Sequence, residues 1–304
     1  MLPFSSFSYE APDNLDDAMA IAAAPDSRII AGGTDLLPSM KHRLFTPTTL
    51  LSLRRLKVIK GVTELEDGGL SIGAMTTLRQ LRRSPLINLN YPALSEACRT
   101  IGTATIQVMG TIGGNVMLDT RCLFYNQPAG WRDSIGGCLK AEGTVCHVVQ
   151  RGKGCYAAQS SDTIPALWLY GATVEFSSQK GTRQIAVSDL FSEDGRTWLR
   201  IQPGEILTRI LLPPTANPVA HRKLRIRGAI DYGLLLVAVQ RTGSGARAVL
   251  SALGPQPIMI SADKAEDLPQ AAYRAARPLP THAVASVWRK QMVRVEVRRA
   301  LESI

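Results

Sequence analysis

Four cysteines, Cys122, Cys138, Cys146 and Cys155, fall within one stretch of the 304-residue chain, spaced C-x15-C-x7-C-x8-C. Thiolates crowded in this way in a reduced compartment bind a soft metal or an iron–sulfur cluster. The spacing lacks the two close C-x2-C pairs of a zinc ribbon and the short cysteine run of small ferredoxins. Spacing alone leaves three readings open: an iron–sulfur cluster, a tetrahedral zinc held on a loop, and unligated thiols. The fifth cysteine, Cys98, stands at helical spacing in Leu94-Ser95-Glu96-Ala97-Cys98 and is expected to be a small buried apolar residue. An odd count with no sign of export argues against a disulfide framework.

Two glycine turns form the second constellation. One is Ala31-Gly32-Gly33-Thr34-Asp35, between a predicted strand and a helix; the other is Gly110-Thr111-Ile112-Gly113-Gly114-Asn115. A glycine pair lets the backbone approach a ligand and present successive N–H groups, which at a helix start suit a pyrophosphate. Neither turn matches G-x-G-x-x-G, and no P-loop Lys-Ser/Thr is present. Each alone reads as an ordinary tight turn. Together, one per structural layer, they suggest a dinucleotide gripped from two sides. No Ser/His/Asp or paired-carboxylate arrangement is visible, and His42, His221 and His282 have no catalytic partner in the sequence. His147 follows a cysteine, but four thiolates already complete a ligand set.

The elements that must position these residues begin with short strands near Phe7–Tyr9, Ser27–Ala31 and Leu50–Leu53. Helices over about 18–24, capped by Asp13 or Asn14, and about 36–43 separate them, so the first fifty residues read as β-α-β-α-β. Val58–Val62 and Leu70–Ile72 flank Asp67-Gly68-Gly69 as a hairpin. Helices follow from Thr77 and over 91–100, then a Gly/Thr-rich stretch over 102–115. Residues 118–160 carry the cysteines and scattered glycines without a period, and read as a long functional loop inserted into an α/β domain. Pattern resumes with a helix over 163–170 and a strand over 173–176. After Leu212-Pro213-Pro214, segments 221–227, 234–240 and 247–253 read as three strands, followed by helices, the last over about 283–303.

Composition limits the remaining classes. Apolar residues at 45% and charged residues at 20% fit a globular chain. The longest apolar run, Leu234–Val239, is too short to span a bilayer, and Met1-Leu2-Pro3-Phe4 lacks the regions of a secretory signal. A cytoplasmic protein without membrane contact is expected. The 35 basic and 25 acidic residues leave a charge of +10. With aromatics at 6% and none set among the basic residues, diffuse solvated charge is expected, an acidic electron carrier is the next partner, and nucleic acid is not expected.

The two glycine turns resemble the FAD-binding signatures of the flavoprotein subunits of molybdenum hydroxylases, the group of aerobic CO dehydrogenase and xanthine dehydrogenase. Ser161-Asp162 with Pro165-Ala166-Leu167, Gly204-Glu205-Ile206-Leu207 up to Leu212-Pro213, His221-Arg222-Lys223-Leu224-Arg225 and Arg298-Arg299-Ala300-Leu301 resemble further family segments. The resemblance covers essentially the whole chain. It departs at Thr105-Ile106-Gln107-Val108, where many relatives read Q-I-R-N. Asp119-Thr120-Arg121-Cys122, Tyr125-Asn126-Gln127, Cys146-His147-Val148 and Cys155-Tyr156-Ala157 resemble the flavin subunit of 4-hydroxybenzoyl-CoA reductase, whose inserted loop ligates a [4Fe–4S] cluster beside FAD.

The resemblance implies an α+β fold: a two-subdomain FAD-binding unit of PCMH type over 1–214 (subdomains about 1–55 and 56–214), with a cluster-binding insertion at about 118–160. A C-terminal α+β domain over 215–304 follows, with a three-stranded antiparallel sheet plus helices. It implies that FAD is held by Ile30, Ala31, Gly32, Gly33, Thr34, Asp35, Gly102, Thr103, Thr111, Gly113, Gly114 and Asn115. Asp162 is a polar anchor for the nucleotide half, or else a helix N-cap; Lys223 neighbours the flavin ring, or else is a solvated strand charge. Cys122, Cys138, Cys146 and Cys155 ligate the cluster. The partners implied are a large molybdopterin subunit, a small subunit with two [2Fe–2S] clusters and a ferredoxin-type electron carrier. Electrons would pass inward to reduce 4-hydroxybenzoyl-CoA to benzoyl-CoA on the large subunit. The same relay running outward from an oxidative hydroxylase, or an assembly subunit with a zinc loop, are the alternatives.

Overall fold

A computed structural model describes residues 3–304. The first layer contains strand β1 (Ser8–Glu10), helix α1 (Leu15–Ala22), β2 (Ser27–Ile30), α2 (Leu36–Lys41) and β3 (Thr49–Ser52). Both neighbours of β3 run parallel to it, giving the order β1-β3-β2. Parallel pairing needs crossovers, and the two helices supply them. Asn14 caps α1 by accepting the N–H of Asp17 at 2.9 Å.

The second layer opens with β4 (Val62–Glu64) and β5 (Leu70–Gly73), then helices α3 (Leu78–Arg83), α4 (Pro85–Asn90), α5 (Pro92–Thr100), α6 (Ala104–Met109), α7 (Ile112–Val116), α8 (Ala129–Ser134) and α9 (Ile164–Leu169). Strands β6 (Thr173–Ser178), β7 (Gly181–Ala186) and β8 (Ile206–Leu212) complete it. The sheet is antiparallel, in the order β4-β5-β8-β6-β7. The expected β4–β5 hairpin forms, with Gly68 at φ +81° and the Asp67 side chain accepting the Gly69 N–H at 2.8 Å. Its first strand is shorter than the sequence suggested, because residues Lys57–Ile59 wind into a 3-10 turn. The Gly/Thr-rich stretch becomes α6 and α7, capped by Thr103 and Thr111, each with its hydroxyl accepting an N–H three residues on.

The C-terminal unit contains β9 (Val219–Leu224), β10 (Leu235–Thr242), β11 (Gly245–Ser251), β12 (Ile258–Ala262), α10 (Leu268–Ala275) and α11 (Ser286–Leu301). Its antiparallel sheet has four strands, β12-β11-β10-β9, not the three expected. The missed strand β12 is a short, half-buried edge that follows Pro257, so neither length nor a continuous apolar run marks it. The run Leu234–Val239 is apolar throughout because β10 is buried on both faces. Leu235, Val237 and Val239 pack against α10 and α11, while Ala238, with Val249 of β11, joins the core of the second layer.

Arg289 on α11 is fully buried and, among the described residues, its hydrogen-bond partners are backbone carbonyls. Its guanidinium donates to the carbonyls of Leu234 at 2.9 Å, Leu279 at 2.7 Å and Ala252, and burial draws its pKa down to about 10. Arg289→Leu removes five donors and strands three buried carbonyls. We expect a loss of about 3 kcal/mol, read as a lower midpoint in chemical denaturation. An unchanged midpoint would refute the assignment of α11 docking to this residue.

Candidate functional site

The two glycine turns, about eighty residues apart in sequence, meet in space. A Cβ on Gly32 would lie 1.9 Å from the Met109 carbonyl oxygen and 3.0 Å from Gly110 Cα. A Cβ on Gly110 would lie 3.5 Å from Thr34 Oγ1, and one on Gly114 3.8 Å from Ala31 Cβ. Gly33 takes φ +71°, which turns the chain from β2 into α2. Among the described residues, the N–H groups of Gly32, Gly33 and Thr34 donate to no protein acceptor, whereas Ile112 and Gly113 spend theirs on the Thr76 and Ala74 carbonyls. Open donors on the first turn, with a second backbone pressed against it, make a cradle suited to a phosphate. The Ile30 side chain instead faces a small core with Met40 and Leu50.

The other predicted residues form a rim around this junction. The Asn115 side-chain oxygen accepts from Ser161 Oγ and Thr163 Oγ1, both at 2.8 Å. Asp162, next to Ser161, lies 2.6 Å from Lys223 Nζ, with the side chains 4% and 2% exposed. Lys223 is therefore not a solvated charge, and Asp162 does not cap α9. Burial raises the Asp162 pKa, and the Lys223 ammonium opposes that shift. Lys223 and Arg225 also donate to the Thr100 carbonyl, two residues before Gly102 at φ +54°. Gly102 accepts the N–H of Ile230, and the Tyr232 hydroxyl donates to Asp35 at 2.8 Å. The segment between β9 and β10 thus reaches both the first turn and the Thr103 cap. Arg121, buried beneath the Tyr232 ring at 4.7 Å, pairs with the same Asp35 carboxylate. Sequence reasoning gave Arg121 and Tyr232 no role, because their partners are remote in the chain.

His221 is buried behind this rim, with its Nε2 3.0 Å from the Asp162 carbonyl, and burial pushes its pKa down to about 4. The folded state thus holds His221 neutral while the unfolded chain protonates near pH 6.5. Stability is lost as pH falls from 6.5 toward 4, by on the order of 3 kcal/mol from this group. We expect thermal unfolding at pH 5 to lie below that at pH 7, with His221→Gln flattening the slope.

The insertion closes on itself at a neck where Arg121 and Ala158 exchange two backbone hydrogen bonds of 2.7 Å. Its anchor is Arg132, fully buried, which donates to the Glu142 carboxylate and to the carbonyls of Gln127 at 2.5 Å, His42 at 3.3 Å and Arg43 at 3.3 Å. His147 is used structurally, with its Nε2 2.6 Å from the Gly137 carbonyl and its ring against Phe124. All four loop cysteines are 4–7% exposed. Cys122, Cys138 and Cys155 pack with Tyr125 and Ala157, and Cys146 is close enough to raise the pKa of each. Burial is the larger cause, and lifts Cys122 to about 11 and Cys155 to about 12. The Ala157 N–H donates to the Cys155 sulfur at 3.5 Å, and the backbone near Cys122 and Cys138 partly offsets the rise of their pKa values. Among the described residues no three His, Cys, Asp or Glu side chains form a group that could hold a metal ion. Cys98 lies elsewhere, in the main core, as expected.

Residues 5–215 match the family described as the FAD binding domain in molybdopterin dehydrogenase. The chain belongs to this family. It is an FAD-binding oxidoreductase subunit of the molybdenum hydroxylase group. It is similar to the FAD-binding subunit PaoB of an aldehyde oxidoreductase from Escherichia coli (strain K12), 31% identical over 86% of this chain and 86% of that one. It is also similar to a carbon monoxide dehydrogenase medium chain from Afipia carboxidovorans, 32% identical over 84% of this chain and 75% of that one. Among solved structures, a Cu,Mo-CO dehydrogenase in its cyanide-inactivated form superposes with a TM-score of 0.78 at 25% identity, covering 99% of this chain and 98% of the other. Quinoline 2-oxidoreductase from Pseudomonas putida 86 shares the fold at a TM-score of 0.77 and 22% identity, covering 99% and 98%. Among the described residues no helix is long and apolar enough to cross a membrane.

Proposed function

We propose that this chain is the flavin relay of a multisubunit molybdenum enzyme and carries, beside FAD, a [4Fe–4S] cluster on its inserted loop. The observation that carries the cluster is the group of four buried thiols on the loop, one of which accepts a backbone N–H. Four thiolates in so dry a pocket need compensating cations, and N–H donors to sulfur are what tune such clusters. When bound, FAD and the cluster would supply electron storage in two-electron and one-electron units respectively.

The chain's own residues bind and orient. The Gly32–Thr34 donors hold the FAD pyrophosphate, with the second turn, Gly113 and Gly114 included, as the facing wall. Asp35, Gly102, Thr103, Thr111 and Asn115 fix the shape of the cradle. Asp162 and Lys223, expected at the nucleotide half and the flavin ring respectively, form one pair 2.6 Å apart and so serve one part of the cofactor; we assign the pair to the ring, where the cation favours added negative charge. The catalytic molybdopterin subunit and a small [2Fe–2S] subunit are the partners, with a ferredoxin-type carrier feeding the loop in the cytoplasm. The substrate of the assembly is 4-hydroxybenzoyl-CoA, reduced to benzoyl-CoA. The activities of the relatives, aldehyde oxidoreductase and CO dehydrogenase, favour a second reading, the same relay draining electrons outward.

Oxygen-free purification with the companion subunits tests this. One FAD with about four iron and four sulfide per chain is expected; zinc without iron would refute the cluster. The dithionite-reduced enzyme should be reoxidised by 4-hydroxybenzoyl-CoA. Reduction of the oxidised enzyme by an aldehyde or CO, with no response to the thioester, would establish the outward direction instead.

A further inference from the structure

Lys140 is the one lysine of the insertion that solvent does not reach: its side chain is 4% exposed, against 7% for its partner Asp119. Its ammonium donates to Asp119 Oδ1 at 2.5 Å, Thr120 Oγ1 at 2.5 Å and the Gly195 carbonyl at 2.6 Å. It also stands over the rings of Tyr125 at 4.8 Å and Trp198 at 4.6 Å. Gly195 is pressed against the thiol pocket, since a Cβ there would lie 3.0 Å from Cys155 Sγ. On the other side, Asp119 Oδ2 accepts from the Tyr125 hydroxyl at 3.0 Å, and Tyr125 packs in one cluster with Cys122. One buried cation and one buried anion thus stand beside the thiols, linked to Cys155 through Gly195 and to Cys122 through Tyr125.

We infer that Lys140 and Asp119 are a positioning pair whose opposed charges set the reduction potential of the cluster; this rests on the reading of the four thiols as cluster ligands. Taking up one electron adds one negative charge to a pocket screened poorly by solvent. A fixed cation nearby stabilises the reduced form and a fixed anion destabilises it. With both present their effects largely cancel, and removing either exposes the other.

The test is a potentiometric titration of the assembled, oxygen-free enzyme, followed by electron paramagnetic resonance. Lys140→Met leaves the carboxylate unopposed and should move the midpoint to more negative potential. Asp119→Asn, nearly isosteric and still able to accept from Tyr125, leaves the cation unopposed and should move it to more positive potential. Lys140→Arg should stay near wild type. Shifts of opposite sign are not produced by a merely structural role. Midpoints that stay together, or move in the same direction, overturn the inference while leaving the cluster reading intact. Loss of iron from both Lys140→Met and Asp119→Asn also overturns it, by making the pair structural. A wild-type enzyme without iron fails at the earlier step and refutes the cluster itself.

Discussion

Cys138→Ser is expected to strip iron and sulfide from the purified chain while leaving most of its FAD in place. A serine hydroxyl is a harder, weaker ligand than a thiolate and binds iron well only as an alkoxide, which is costly to form at neutral pH, so a cluster short of one thiolate is readily lost. The substitution is almost the same size as the thiol, so packing around the 7% exposed Cys138 is little changed. The loop keeps its own supports: the Arg132 guanidinium on Glu142 and three carbonyls, and the neck at Arg121 and Ala158. The glycine junction lies outside that neck. Iron and acid-labile sulfide should fall from about four of each per chain to near zero, with the broad iron–sulfur absorbance lost and the flavin bands kept. Concerted loss of both chromophores would mean that the loop builds the flavin site instead of standing beside it. Unchanged iron would remove Cys138 from the ligand set.

The contrast between these two sites explains what the sequence made legible. A glycine turn is a local requirement: Gly33 at φ +71° and Gly32 against a carbonyl can each be filled by one residue type, and the residue type is visible. The four cysteines are legible for the same reason, since few other residues do thiolate chemistry. The β-α-β-α-β start was readable because short apolar strands alternate with helical segments, the first of them capped by Asn14. What could not be read are the contacts that make these pieces one site. Tyr232 meets Asp35 across 197 positions, and Lys223 on β9 meets Asp162 ahead of α9. A lysine on an alternating strand looks the same whether its face meets water or a buried carboxylate. Lys140 is similarly mute, because its acceptors come from Asp119, Thr120 and Gly195, none at a helical or cross-strand interval. The edge strand β12 was lost because its alternation is only half buried.

Gly32→Ala should abolish FAD binding, the largest effect expected of a single methyl group in this chain. The added Cβ would sit 1.9 Å from the Met109 carbonyl oxygen and 2.6 Å from its carbonyl carbon. Both are backbone atoms, so no side-chain rotation relieves the clash. The two turns must separate, or β2 must withdraw from β3, where Ile30 pairs with Ser52. Overpacking of this kind costs about 1–3 kcal/mol, which a chain of this size can survive. The consequence for the cofactor is greater, because the Gly32–Thr34 donors and the facing turn must stay within hydrogen-bonding reach of one pyrophosphate. Gly130→Ala is the matched control: no atom lies within 4 Å of its would-be Cβ, and its backbone is helical within α8. Flavin retained after gel filtration, measured against protein, should be near zero for Gly32→Ala and unchanged for Gly130→Ala. Full flavin in the Gly32 variant would show that the cofactor's phosphates are held somewhere other than the junction of the two turns.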